Sequence, residues 1–176
     1  MITYYTSRKL NIFHFHITED IAWRLESKKY PELTSPKNML RNAGDYYSVA
    51  DMQMLIAYCK ERFITLVPEI DMPGHSAAFE RAMGVNMQSE KGSAICKNIL
   101  EEICNTFDVP IIHIGGDENE GKHWDESQDI QEFKKHHSLK TNHNLQTYFN
   151  IKLEKILNKL GKKLMGWDEI MTPNMP

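Results

Sequence analysis

The decapeptide IIHIGGDENE, residues 111–120, sets two adjacent carboxylates, Asp117 and Glu118, behind an apolar run, a histidine and two glycines. Neighbouring like charges oppose each other's ionisation, so one of the pair is expected to hold a proton near neutral pH while the other stays charged. That division suits glycoside hydrolysis, in which one group protonates a leaving oxygen and another stays ionised. Gly115 and Gly116 remove side chains where a ligand or another stretch of backbone would come close. A solvated turn is the plainer account of the same letters. Three further places gather groups of the same kind. HFHITED holds His14, His16, Glu19 and Asp20; PEIDMPGH holds Glu69, Asp71 and His75; MGWDE holds Trp167, Asp168 and Glu169. His14 and His16 share one side of their segment, and a strand histidine is most simply a hydrogen-bonded core residue. In DMPGH, Pro73 fixes φ and Gly74 permits a positive φ, a turn that would aim His75 inward.

Each of the four places ends a short apolar run: NIFHFHIT (11–18), RFITLVPEI (62–70), VPIIHIGG (109–116) and KKLMGW (162–167). Such near-continuous runs suit strands buried on both faces of a parallel sheet. Helical patterns lie between them. Val49, Met52, Ile56, Cys59 and Phe63 recur at spacings of three and four, with Ser48 as the N-cap and Asp51 completing the cap three residues on. Ile95, Ile99, Leu100, Ile103 and Phe107 repeat the pattern, as do Leu145, Phe149, Leu153, Ile156, Leu157 and Leu160, which stop at Gly161. Residues 19–47, with Pro31, Pro36 and Gly44, read as a loop. EFKKHHSLKTNHN (132–144) reads as a solvated helix end and loop, which sets His136, His137 and His143 aside. Trp23 and Trp124 read equally well as covers for helix ends.

Strands alternating with helices predict βαβ units and a parallel sheet, either doubly wound or closed into a barrel. No G-x-G-x-x-G or Walker-type loop follows any strand, which counts against a nucleotide-binding open sheet. The strand starts at Ile12, Ile64, Ile111 and Leu164 lie about 50 residues apart. Eight such units need roughly 400 residues, within the range of insertion-bearing (β/α)8 barrels. The expected fold class is therefore α/β, a (β/α)8 TIM barrel of which this chain carries about four βα units. In such folds the chemistry collects where the strands end, and all four runs end in histidine, carboxylate or tryptophan. Residues 1–176 read as one partial catalytic domain with no second domain.

Composition excludes several function classes. Hydrophobic residues at 41% and charged ones at 26% are ordinary for a folded domain. A net charge of −3 without a basic block leaves no footprint for nucleic acid or an anionic membrane. No apolar run approaches the ~18 residues that span a bilayer, and MITYYTSRKL has no apolar leader core. Of the three cysteines, Cys96 and Cys104 fall eight apart on one predicted helix, roughly 12 Å and too far to bridge; Cys59 reads as a core position. No cofactor motif is present, and nothing sets an oligomeric state.

Taken in order, KLNIFHFHITEDIAWRLESKKYPELT, VPEIDMPGHSAAF, IHIGGDE and MGWDEI resemble glycoside hydrolase family 20, the β-N-acetylhexosaminidases, along almost the whole chain. H-x-G-G-D-E beside P-E-I-D-M-P-G-H is a specific combination. The resemblance implies a barrel that removes terminal β-linked N-acetylglucosamine or N-acetylgalactosamine, with a glycan as partner, no cofactor and no metal. It also implies that the substrate's own acetamido oxygen attacks the anomeric carbon, giving an oxazolinium intermediate and net retention. Glu118 would then be the general acid and later the base, and Asp117 would hold the acetamido nitrogen. His113 would support these carboxylates, and His75 would be a supporting or sugar-contacting partner. Trp167 would wall the acetamido methyl. Glu19 would bind sugar hydroxyls at a position where many members carry Asp. The family's first strand with its Arg, its later strands with a Tyr, an acid and more Trp, and its leading small α/β domain have no counterpart here, so the resemblance implies a fragment. Secretion, or a periplasmic or lysosomal location, is expected from such relatives.

Two other readings stay open. His14, His16, His75, His113 and Asp117 could surround Zn²⁺ in a metal-dependent hydrolase on the same barrel. A sugar-binding remnant would keep the fold without turnover.

Overall fold

The structure is a computed structural model that describes residues 9–119 and 121–171. The leading residues read for a leader core lie almost entirely outside that range. Six strands are present: β1 (Ile12–His16), β2 (Thr18–Glu19), β3 (Ala22–Trp23), β4 (Thr65–Glu69), β5 (Ile111–His113) and β6 (Lys163–Met165). Six α-helices accompany them: α1 (Val49–Lys60), α2 (Ala77–Met83), α3 (Glu90–Thr106), α4 (Lys122–Glu126), α5 (Gln128–His136) and α6 (Asn142–Lys159).

The main sheet has the order β1-β4-β5-β6, and all its pairings are parallel. Order in the sheet follows order in the chain without a reversal. A doubly wound sheet would reverse at its switch point, so this is a stretch of barrel wall. Register sets the two faces. Phe13 pairs with Leu66 and Phe15 with Pro68, while His16 pairs with Glu69 and Glu69 with His113. Because side chains alternate along a strand, Phe13, Leu66 and Ile112 face the helices and His14, His16, Glu69 and His113 face the opposite side.

Helices α1, α3 and α6 cover the apolar face. Met52, Cys59, Ile99, Leu100, Phe149 and Leu153 join Leu66 and Ile112 in one buried cluster. The caps follow the sequence closely. Ser48 and Asp51 form a reciprocal capping box on α1. Thr141 caps α6, and Gly161 ends it at φ +70°. All three cysteines are buried and free.

The structure departs from the sequence reading in three places. Residues 19–47 are not a plain loop: β2 and β3 form a two-residue antiparallel ladder, and Pro31 and Pro36 start short 3₁₀ turns. Buried Trp23, Leu25 and Leu33 hold this stretch against the core, so packing orders it where local pattern is silent. The strands are shorter than their apolar runs, and β5 stops because Gly115 and Gly116 turn left-handed at φ +64° and +93°. Helices α2, α4 and α5 carry too few turns to show a period. Trp124, Ile130, Phe133 and Leu145 form a second buried cluster there, so the segment 128–136 is packed on one side rather than wholly solvated.

Candidate active site

The loops that leave β1, β4, β5 and β6 meet at one end of the sheet. Glu69, at the end of β4, is buried and only 2% exposed. Its Oε2 lies 2.8 Å from His14 Nε2 and 3.1 Å from His16 Nδ1. Its Oε1 accepts the Trp167 indole N–H at 3.1 Å and lies 3.2 Å from His113 Nδ1. Burial opposes ionisation of Glu69, but hydrogen bonds from His113 and His16 outweigh it and hold the carboxyl far below its usual range. A buried anion with this many donors is the stable way to keep a charge away from water. Trp167 is thereby fixed across the rings of His14 and His113, with centroids 5.4 and 5.0 Å away, while part of its surface stays open.

Nearer the rim, Glu118 projects from the β5 loop with its side chain 71% exposed. His75 stands behind it, Nε2 at 3.3 Å from Glu118 Oε2 and Nδ1 at 2.8 Å from Glu19 Oε1. Three successive strand ends thus supply a carboxylate–imidazole–carboxylate line. Both His75 (φ +44°) and Glu118 (φ +52°) hold left-handed backbone, a conformation that costs a non-glycine residue energy and that gathers at functional sites. The Glu118 N–H donates to Glu169 Oε2 at 2.9 Å, so the loop after β6 helps hold that turn. Asp117 is half-buried, and its carboxylate takes no hydrogen bond among the described residues. It remains free to receive one from a ligand.

The glycines are where the loops touch. A Cβ on Gly115 would stand 2.1 Å from Asp71 Oδ1, and one on Gly116 would stand 2.3 Å from Ile170 Cγ2. The anticipated close approach is real, and its partner is protein. In the DMPGH turn the left-handed residue is His75 rather than Gly74. Gly74 is needed for contact instead, since a Cβ there would lie 2.8 Å from the Asp117 carbonyl oxygen.

Of the residues singled out in sequence, Asp117, Glu118, Glu19 and His75 come together at the rim, and His113 and Trp167 come together around Glu69. Among the described residues His113 makes no hydrogen bond or ion pair with Asp117 or Glu118. Its Nδ1 faces Glu69 and, at 3.0 Å, the Gly115 N–H; protonated it donates to the first, unprotonated it accepts from the second. Glu19 Oε1 is engaged by His75 and by the Asp20 N–H at 2.6 Å, and the side chain stays partly exposed. The set named for a zinc centre is not assembled: among the described residues Asp117 joins no cluster of metal-ligating groups, and His75 is grouped with Glu19 and Asp20 rather than with His113.

Comparison with known proteins bears on this geometry. The model of glycosyl hydrolase family 20, catalytic domain, matches residues 1–89 and 80–175. The chain belongs to glycosyl hydrolase family 20. A β-hexosaminidase of Porphyromonas gingivalis is 37% identical over 93% of the chain and 24% of its own length. The chitobiase structure from Flavobacterium johnsoniae superposes with a TM-score of 0.89 at 39% identity, over 99% of this chain and 29% of that one. An exo-β-N-acetylglucosaminidase of the family from Vibrio harveyi, in complex with N-acetylglucosamine, gives 0.89 at 28% identity over 98% and 33%. The chain thus spans a third or less of these relatives. Catalytic domains of family 20 are TIM barrels, and the four-stranded parallel sheet is a portion of that wall.

Glu69 and Asp71 count among the strand-end groups in the sequence but are given no role there. Both appear in the PEID string, and the signal was their spacing: two carboxylates at i and i+2 share a face of the strand end. Asp71 is 1% exposed and accepts the Gly116 N–H at 3.2 Å. Burial first, then the charges of Glu69 and Asp117, push its carboxyl up to about 6, against the Gly116 N–H and His75. A folded-state value above the unfolded one means that the native protein holds this proton more tightly. The stability it adds is complete below about pH 4 and is lost as pH rises through about 6. Asp71→Asn is therefore expected to be more stable than wild type at pH 8, by on the order of 2 kcal/mol, and equal to it at pH 4. Urea midpoints at the two pH values measure this; a variant equally destabilised at both would refute it.

Proposed function

We propose that this chain carries the proton-handling side of a β-N-acetylhexosaminidase site, one that hydrolyses terminal β-linked N-acetylglucosamine or N-acetylgalactosamine with retention. The observation that carries the reading is the line Glu19–His75–Glu118 standing beside an uncommitted Asp117 on the same loop. Glu118 is exposed enough to reach a glycosidic oxygen, and the imidazole behind it supports the carboxylate left when the proton departs. Asp117 accepts the acetamido N–H and turns the acetamido oxygen towards the anomeric carbon. As the C–O bond breaks, that oxygen closes an oxazolinium ring, whose positive charge faces Asp117. Glu118 then takes a proton from water, which opens the ring with net retention. The open part of Trp167 provides an apolar wall that keeps water from competing with the internal nucleophile. On this reading the chain is one part of a catalytic barrel, and further strands supply the rest of the sugar pocket.

The test uses the complete protein with a chromogenic β-N-acetylglucosaminide and its N-trifluoroacetyl analogue. Fluorination weakens the acetamido oxygen as a nucleophile, so the analogue is expected to be hydrolysed much more slowly. Asp117→Asn is expected to lose roughly 10²–10³-fold on the acetamido substrate, as for removal of one preorganised electrostatic partner. Equal rates on the two substrates would mean that an enzyme group attacks. Binding of N-acetylglucosamine with no turnover would support the sugar-binding reading instead, and activity lost to chelators would support the metal-dependent one.

A further inference from the structure

Carboxylates and imidazoles alternate without a break from the rim of the site to its floor. Glu118 Oε2 lies 3.3 Å from His75 Nε2, and His75 Nδ1 lies 2.8 Å from Glu19 Oε1. The line does not stop at Glu19. Its second oxygen, Oε2, is 3.7 Å from His16 Nε2, and His16 Nδ1 is 3.1 Å from Glu69 Oε2. Glu19 therefore stands between two imidazoles, one on each oxygen, and His16 stands between two carboxylates in the same way that His75 does. We propose that His16 and Glu69 are positioning residues for the acid/base chemistry of Glu118, acting on it through Glu19 and His75. The proposal rests on the hexosaminidase reading above.

The coupling follows from charge and distance. The rings of His16 and His75 meet edge to face with centroids 6.0 Å apart. Two imidazolium ions at that separation repel, and each weakens the other's hold on its proton. They also compete for one carboxylate: while His16 is charged, part of the field of Glu19 is turned towards it. When His16 is neutral, Glu19 supports His75 alone. The 3.7 Å gap between His16 and Glu19 is too long for a hydrogen bond, so the link there is electrostatic and no proton needs to cross it.

The surroundings of His16 favour its charged form. Glu69 faces it from β4, Asp71 from just beyond β4, and Glu19 from β2; the neighbouring imidazoles are His75 and, on its own strand, His14, whose charged form is disfavoured by burial. The hydrogen bond to Glu69 holds the imidazole above its usual range, against burial. His75 is also held above its usual range; burial opposes this, and Glu19, Asp71 and Asp20 outweigh it. Glu69 is thus the anchor. Held as an anion by its other donors, it favours the charged form of His16, and that charge tempers how strongly His75, the partner of Glu118, retains a proton. His16 fills no part of the apolar core; its side chain is 40% exposed on the site face.

The sign of the effect is definite. Removing the positive charge at His16 lets the His75–Glu118 pair hold its proton to higher pH. In His16→Gln, imidazole ¹⁵N spectra are expected to show the His75 midpoint rising by about half a pH unit or more. The basic limb of kcat/KM is expected to move in the same direction. Glu69→Gln, read by the same spectra, is expected to lower the His16 midpoint by about one unit. A purely structural His16 would leave both the His75 midpoint and the basic limb where they are. A folded His16→Gln whose His75 midpoint matches wild type overturns the coupling, even while hydrolysis continues. A wild-type protein without hydrolysis overturns the hexosaminidase reading and any role of His16 in it. If Glu69→Gln fails to fold, His16→Gln alone decides, because its half-exposed site tolerates the change.

Discussion

Glu118→Gln is expected to lower hydrolysis of N-acetylhexosaminides by roughly 10²–10⁴-fold in the complete protein, the usual contribution of a positioned proton donor. The substitution keeps size and shape and removes only the proton that the carboxyl can give. Because the side chain is 71% exposed and contributes nothing to the core, the melting temperature should stay within a degree or two of wild type. The loss should also depend on the leaving group. A sugar alcohol cannot depart without a proton, so a disaccharide substrate should suffer the full loss. A dinitrophenyl group departs readily as its anion, so its release should fall far less. Equal losses on the two substrates, with the fold intact, would show that Glu118 does not donate the proton.

Gly115→Ala should act by an unrelated route and be equally damaging. The added Cβ would sit 2.1 Å from Asp71 Oδ1 and 2.2 Å from its Cγ, and the backbone there holds φ +64°. Asp71 cannot retreat easily: it is 1% exposed, its N–H donates to Thr18 Oγ1 at 2.9 Å, and its carboxylate accepts the Gly116 N–H. Left-handed backbone on a non-glycine residue costs about 1–2 kcal/mol and forced overpacking about 1–3 kcal/mol, so a total near 3 kcal/mol is expected. Activity should fall with it, since the displaced loop carries Asp117 and Glu118. Gly84→Ala is the control. It has φ +67° but no atom within 4 Å of the added carbon, so only the backbone cost of about 1 kcal/mol should appear. Denaturant midpoints for both variants measure the difference. Equal losses would mean that the contact with Asp71 yields without penalty.

Much of this was legible before any coordinates. Spacing and apolar runs located the parallel strands, and Ser48, Asp51 and Gly161 marked helix ends because caps are decided by the residues that form them. Asp117 and Glu118 were visible because paired carboxylates after two glycines have few structural reasons to exist. The importance of Glu69 was hidden for the opposite reason. A carboxylate at a strand end reads as solvated until register places His16 and His113 on either side of it, and register is a property of the fold. The pairing of His113 with Glu69 was hidden on the same account, since proximity in sequence points to Asp117 and Glu118 instead. Residues 19–47 were unreadable locally because Trp23, Leu25 and Leu33 are ordered by what they pack against.

The order β1-β4-β5-β6 has one more consequence. Since neighbours in the sheet are neighbours in the chain, the histidines, carboxylates and tryptophan from His14 to Trp167 arrive in one continuous stretch of sequence. Exchange of sequence outside that stretch would leave Glu118, the His75 imidazole and buried Glu69 on the loops that hold them.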